Sequence, residues 1–66
     1  MLSDTTGRRI TGLREREDMT LDELAAKIGI NATTLGRIEK GQTQKINSDV
    51  LVALAREFSV STDFLL

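Results

Sequence analysis

Apolar residues recur three or four positions apart along most of the chain, which is the spacing of one face of a helix. Polar residues and glycines interrupt the pattern at four places. The pattern predicts an all-α chain with five helices, over residues 6–17, 20–28, 32–40, 48–58 and 61–66. The positions predicted to face the core are Ile10, Leu13, Leu24, Ala25, Ile28, Leu35, Ile38, Leu51, Leu54, Ala55 and Phe58.

Several residues are typical of helix ends. Thr20 and Glu23 form a capping box, in which each side chain accepts a hydrogen bond from a free backbone N–H of the first turn. Asn31 is a good N-cap for the third helix, and Asn47 or Ser48 for the fourth. The left-handed residues that end the second and third helices are predicted to be glycines, Gly29 and Gly41.

One glycine falls inside a helix rather than at its end. Gly12 lies in the middle of the first helix, where glycine costs about 1 kcal/mol relative to alanine. We therefore expect Gly12 either to allow close packing or to mark a frayed segment.

Composition narrows the class of protein. Sixty-six residues allow a single domain, 1–66. The chain has no cysteine and no histidine, which excludes disulfides and the usual zinc sites, and proline is absent. With only two aromatic residues, the core must be aliphatic. We predict no cofactor, no metal, no catalytic site and no enzymatic activity. Without a long apolar run or a secretory signal, we expect no membrane association and a cytoplasmic location.

Residues 20–41 form the most informative segment. Two short helices separated by a tight turn need a small residue where they touch, which Ala25 supplies, and a residue that tolerates positive φ, which Gly29 supplies. The second of these helices also needs apolar residues facing the first, and Leu35 and Ile38 meet that need. The spacing indicates a helix-turn-helix, whose second helix lies in the major groove of DNA.

The chain resembles the lambda-repressor and Cro-like (XRE-type) helix-turn-helix family. The resemblance covers nearly the whole chain and is most specific in two segments, RIEKG at 37–41 and VSTDFLL at 60–66. It implies a compact five-helix domain that binds operator DNA, usually as a homodimer.

The resemblance also implies roles for single residues. It places Ala32, Thr33, Thr34 and Arg37 against base edges. The residues that it places against phosphates are Thr20, Lys40, Gln42, Thr43 and Lys45. It pairs Arg14 of the first helix with Glu39 as a structural ion pair. One position departs from the family: glutamine is common at the start of helix 2, where it touches phosphate, and this chain has Leu21.

The last apolar residues have two possible roles. Phe64, Leu65 and Leu66 are predicted to belong to the core, to a dimer interface, or to both, because a short helix has an inner and an outer side.

Charge leaves two functions open. The net charge is −1 and the pI is about 5.2, whereas nucleic-acid binders usually carry a basic excess. The charge is uneven, however: residues 24–46 carry +3 and residues 15–23 carry −4. The leading hypothesis is a sequence-specific transcriptional regulator that reads DNA with helix 32–40 as a homodimer. The alternative is a protein-interaction module, of the antitoxin or anti-repressor kind, that uses the same scaffold without reading DNA.

Overall fold

A computed structural model describes residues 4–43 and 46–66, and in these residues all regular structure is helical. The five helices are α1 (Asp4–Arg16), α2 (Leu21–Ile28), α3 (Ala32–Glu39), α4 (Ser48–Phe58) and α5 (Thr62–Leu65). The predicted order and number of helices are confirmed, with ends that differ by a few residues. No helix in this part of the chain has the length and apolar character needed to cross a bilayer.

Helices α2 to α5 each begin with a polar side chain that accepts a hydrogen bond from the backbone of the first turn. Thr20 accepts from the N–H of Glu23, and Glu23 accepts from the N–H of Thr20 in return, so the capping box is confirmed. Asn31, Asn47 and Ser61 are the N-caps of α3, α4 and α5, and the side chain of each accepts a hydrogen bond from a backbone N–H of the first turn. These caps satisfy backbone groups that a helix of 4 to 11 residues would otherwise expose to water.

Helices α1 to α4 all end in one motif, with a left-handed residue just beyond the helix. The left-handed residues are Asp18 (φ 56°), Gly29 (φ 78°), Gly41 (φ 72°) and Ser59 (φ 55°). In each case the next residue donates to a carbonyl five positions back, as Met19 does to Arg14 and Ile30 does to Ala25. The two glycine stops were predicted. Asp18 and Ser59 were not, because a residue with a Cβ pays about 1–2 kcal/mol to adopt this conformation.

The core takes at least one buried side chain from every helix. Five apolar side chains are fully buried, one from each helix: Ile10, Leu24, Leu35, Leu54 and Leu65. The polar side chain of Thr6 in α1 is buried as well. Leu13, Ala25, Ile38, Ala55 and Phe58 complete the buried apolar set, whereas Ile28 and Leu51 are only half-buried. Phe58 is the one aromatic residue in this set, as expected for an aliphatic core.

The glycine of α1 that allows close packing is Gly7 rather than Gly12. A methyl group added at Gly7 would lie 2.8 Å from the carbonyl oxygen of Ile38 and closer still to that of Glu39, so the N-terminal half of α1 lies directly against the end of α3. Gly12 is exposed, and a methyl group there would meet no other part of the described chain within 4 Å. Of the two roles expected for Gly12, close packing is therefore wrong and belongs to Gly7, and fraying stays a prediction.

Candidate nucleic-acid interface

Helix α3 has one face in the core and one face toward solvent. Leu35 and Ile38 are buried and fix the helix against α1 and α2. Thr33, Thr34, Arg37 and Lys40 are exposed, and Ala32 is half-buried. The turn between α2 and α3 passes through Gly29 in the left-handed conformation, and Ala25 is buried between the helices, as the helix-turn-helix spacing requires. The four residues predicted to face bases thus lie together along the accessible part of α3.

The guanidinium group of Arg37 has no ion-pair or hydrogen-bond partner among residues 5–43 and 46–66. The two ion pairs found there use other cations: Arg14 with Glu39, and Lys27 with Glu57 at 3.7 Å. No described residue therefore competes with a ligand for the N–H groups of Arg37. An arginine in this state suits bidentate binding to the O6 and N7 atoms of guanine.

The N-termini of α2 and α3 differ in charge. Helix α2 carries Asp22 and Glu23 in its first turn, whereas α3 carries no acid there. The hydrogen bond from the backbone N–H of Thr20 holds the pKa of Glu23 below its ordinary value, so this carboxylate stays charged. Because the positive end of a helix favours anions and acidic side chains oppose them, the first turn of α3 is the better place for a phosphate.

The residues predicted to contact phosphate do not all present side-chain atoms to solvent. Thr20, Lys40 and Gln42 are exposed. Thr43 is half-buried, and its Oγ1 is buried without a partner among the described residues, so its hydroxyl does not face solvent. Lys45 lies outside the described residues.

A polar network attaches the end of α3 to α1. Arg14 forms the ion pair with Glu39 that the resemblance implied, with Nε 2.9 Å from Oε2 and Nη2 3.1 Å from Oε1. The remaining nitrogen, Nη1, donates to the carbonyl of Met19 at 2.9 Å. The two side chains are only 15% and 8% exposed, and the hydrogen bonds to Glu39 raise the pKa of Arg14 further above its ordinary value.

Sequence reasoning missed two members of this attachment. The hydroxyl of Thr11 lies 2.9 Å from Oε1 of Glu39 and 2.9 Å from the carbonyl oxygen of Gly7. Gly7, Thr11 and Arg14 are spaced four and three residues apart, so they share one face of α1. That spacing is a signal that could have identified them once Arg14 was assigned to Glu39.

Helix α5 separates its apolar residues between the core and the surface. Leu65 is fully buried, whereas Phe64 and Leu66 are 48% and 56% exposed. The interface role predicted for Leu65 is therefore corrected, because a side chain enclosed by its own domain cannot contact a second copy. Arg9 of α1 lies over the ring of Phe64, 5.6 Å from its centroid, and donates to the Phe64 carbonyl at 2.9 Å.

The described residues offer no acidic cluster able to hold a metal ion, since no three of their carboxylates lie close enough together. The features of the site are instead an outward helix, cations beside it that have no partner in the described part of the chain, and a buried attachment behind it. Together with the tight turn at Gly29 between α2 and α3, they place the chain in the helix-turn-helix class of protein.

The chain belongs to the helix-turn-helix family (HTH_3), which matches residues 12–65. It is 39% identical over 59 residues to the HTH-type transcriptional regulator YobD of Bacillus subtilis (strain 168). That match covers 89% of this chain, and the chain spans about half the length of YobD, 52%.

Two solved structures show the same arrangement of helices. One is the N-terminal DNA-binding domain of SinR from Bacillus subtilis, with a TM-score of 0.87 and 27% identity over 96% of this chain and 91% of that one. The other is the P22 c2 repressor in complex with a synthetic operator, also with a TM-score of 0.87. It is 25% identical and covers 97% of this chain and 96% of its own.

Proposed function

We propose that this chain is the DNA-binding domain of a sequence-specific transcriptional regulator and that α3 enters the major groove of an operator. The observation that carries the proposal is the accessible face of α3, where Arg37 has no partner among the described residues while the opposite face is fixed in the core. The family and the DNA-binding relatives support it. We also propose the cytoplasmic location expected from the sequence, because a regulator must have access to the DNA that it binds.

Bases and phosphates are assigned to different residues in this proposal. Ala32, Thr33, Thr34 and Arg37 select the sequence, because they lie along the exposed part of α3. Phosphate contacts from Thr20, Lys40, Gln42, Lys45 and the backbone N–H groups at the start of α3 set the register. Thr43 stays in this group through its backbone N–H, since its hydroxyl oxygen is buried. Two copies joined through Phe64 and Leu66 read a roughly palindromic site.

The test is a titration of the operator, found by in vitro site selection, at increasing salt. In the proposed dimer, four lysines lie near phosphate, Lys40 and Lys45 of each copy. They predict a slope of about −4 when the logarithm of the association constant is plotted against the logarithm of the salt concentration. A random duplex serves as the control and should bind more weakly at every salt concentration. A slope near zero, or equal affinity for both duplexes, would contradict the proposal.

A protein-interaction module is the second candidate. It is favoured by three exposed apolar side chains, Phe64, Leu66 and Val52, the last of them 39% exposed. Burial of apolar surface against a partner protein is favourable because it removes that surface from water. The acidic pI also favours it. Retention on heparin at low salt separates the two candidates: the DNA-binding domain should be retained, and a module that binds only protein should pass through.

A further inference from the structure

A glycine occupies the centre of α3, the helix proposed to read DNA. Gly36 is helical. The buried residue Leu35 directly precedes it, and the buried residue Ile38 lies two positions after it. Its φ is not positive, so its backbone conformation does not require glycine. Glycine in the middle of a helix weakens the helix relative to alanine. Some other property of the molecule must therefore explain this residue.

The packing of the domain does not explain Gly36 either. A methyl group added there would meet one neighbour within 4 Å in the described part of the chain, the Cδ2 atom of Leu21, at 3.5 Å. That distance is an ordinary van der Waals contact, so the fold accommodates alanine. Gly7 is the opposite case, because a methyl group there would strike the backbone of Ile38 and Glu39.

What Gly36 does provide is the floor of a notch on the DNA-facing side of the domain. Leu21, Ala32 and Gly36, all half-buried, form an apolar floor. Around it stand the polar side chains of Thr33, Arg37, Lys40 and Gln42. The side chain of Leu21, where the family often has glutamine, makes its part of this floor hydrocarbon.

The chemistry of the notch limits what can occupy it. A polar group placed against Leu21, Ala32 and Gly36 would lose its water without gaining a hydrogen bond. The cations Arg37 and Lys40 at the rim favour a partner with negative charge nearby. The major-groove edge of DNA carries one apolar group, the C5-methyl of thymine, and it lies between phosphate backbones.

We propose that the notch formed by Leu21, Ala32 and Gly36 receives the C5-methyl group of a thymine, and that Leu21 and Gly36 are specificity-determining residues. The inference rests on the proposed DNA-binding function and adds a particular base to it. Arg37 directly follows Gly36 on the helix, so the thymine lies beside the base pair that Arg37 contacts.

The experiment removes the methyl group from the DNA and leaves the rest of the base unchanged. Each thymine of the selected operator is replaced in turn by deoxyuridine, and Kd is measured by fluorescence anisotropy at fixed salt with the 66-residue chain. One thymine in each half-site is expected to matter, with Kd rising about fourfold when its methyl group is removed.

Two protein variants place the effect in the notch. Gly36→Ala adds a methyl group to the floor of the notch and displaces the thymine methyl from it, so it should bring the deoxyuridine-to-thymine ratio of Kd closer to one, while raising the Tm by about 4–8 °C. The matched control is Gly12→Ala, which should raise the Tm similarly and keep the ratio, because Gly12 is helical, exposed and without neighbours. Leu21→Gln removes the hydrocarbon that Leu21 contributes to the floor and should also bring the ratio closer to one.

The outcomes separate this inference from the function on which it rests. An operator that binds equally well with thymine or deoxyuridine at every position overturns the notch and leaves the regulator. A ratio that persists in both Gly36→Ala and Leu21→Gln likewise assigns the methyl contact elsewhere and overturns the inference. Failure to select any DNA sequence overturns the proposed function itself, and the notch with it.

Discussion

At the scale of single residues, the proposed reading of bases depends most on Arg37. It is exposed on α3 and has no partner among the described residues, so binding a base costs it no existing ion pair. Its planar guanidinium matches the two acceptors of guanine. The threonines nearby have short side chains with one hydroxyl each, which leaves Arg37 as the main source of directional hydrogen bonds.

Arg37→Ala is expected to weaken binding to the operator by about 1–3 kcal/mol and to relax the preference at one base pair. The measurement is anisotropy titration with the operator and with a set of single-base variants. Arg56→Ala is the matched control, because Arg56 is also exposed, on α4, and has no ion pair among the described residues. Equal losses on operator and random DNA would show that Arg37 contacts phosphate.

The Glu23 carboxylate gives the stability of the domain a specific dependence on pH. Because its pKa is lowered in the folded state, its contribution is present above the ordinary value of 4.5 and is lost as the pH falls through the lowered value. Glu23→Ala should therefore reduce the free energy of unfolding at pH 7, and its difference from the wild type should shrink in acid.

Urea denaturation between pH 7 and pH 3 measures this difference directly. Glu23→Gln is the control, since its amide oxygen still accepts from Thr20 but does not titrate, so its contribution should not change over the acid range. A difference between wild type and Glu23→Ala that stays constant across the range would contradict the assignment to the capping box.

At the scale of helices, contacts between neighbours in the sequence and contacts between distant residues determine different properties of a helix. The helix starts depend on a polar side chain and a backbone N–H two or three residues away. The attachment of α1 to α3, through Gly7, Thr11 and Arg14, joins residues that are far apart along the chain. The position of α3 therefore depends on long-range contacts, while its existence depends on local ones.

Gly7→Ala tests the close approach of α1 and α3. The new methyl group would strike two carbonyl groups at the end of α3, and backbone there cannot move without disturbing Ile38. We expect a loss of about 1–3 kcal/mol in the free energy of unfolding, measured by chemical denaturation. Gly12→Ala in the same helix should instead stabilise by about 0.5–1 kcal/mol, because its surroundings are empty.

The same distinction explains how much the sequence predicted. Thr20, Asn31 and Gly29 are residue types that favour helix ends wherever they occur. The five helices and their order could therefore be predicted from the sequence. Asp18 and Ser59 end helices in a conformation that their side chains disfavour, so their identity carried no signal. The role of Gly7 depends on the carbonyl groups of a helix far along the chain, which no local pattern reveals.

The candidate site divides in the same way. The base-facing residues of α3 were predicted as a group from the resemblance to the family, and the burial of Leu35 and Ile38 is consistent with that grouping because it leaves the other face of α3 to solvent. The buried Oγ1 of Thr43 and the fully buried Leu65 depend on how neighbouring segments pack. Resemblance gave the Arg14–Glu39 pair but not the hydroxyl of Thr11 that shares the same carboxylate.

At the scale of the whole molecule, size limits how much DNA one copy can reach. The Cα atoms extend 26 Å along the longest axis, and the eight residues of α3 span about 12 Å. Successive major grooves on one side of DNA are about 34 Å apart, so one copy reaches a single groove. A palindromic site therefore requires a second copy, and Phe64 and Leu66 are the exposed apolar residues proposed to join them.

Leu66→Glu tests this assembly. The proposed dimer buries Leu66 against the second copy, so a charge there should shift the chain toward monomer in sedimentation velocity. It should also weaken cooperative binding to an operator with two half-sites by about tenfold or more. Val52→Glu is the control, because Val52 is exposed and apolar but lies on α4. If both variants keep the wild-type sedimentation coefficient and cooperativity, the interface lies elsewhere.

The attachment of α3 on its inner side has a consequence for how such a protein changes over generations. Leu35, Ile38 and Glu39 hold the helix and Ala32 packs against the core, whereas the side chains of Thr33, Thr34 and Arg37 are exposed. The positions of Thr33, Thr34 and Arg37 can therefore accept new side chains at little cost to folding. A library randomised there should remain largely folded and should contain members with new operators, so retargeting the chain needs few substitutions.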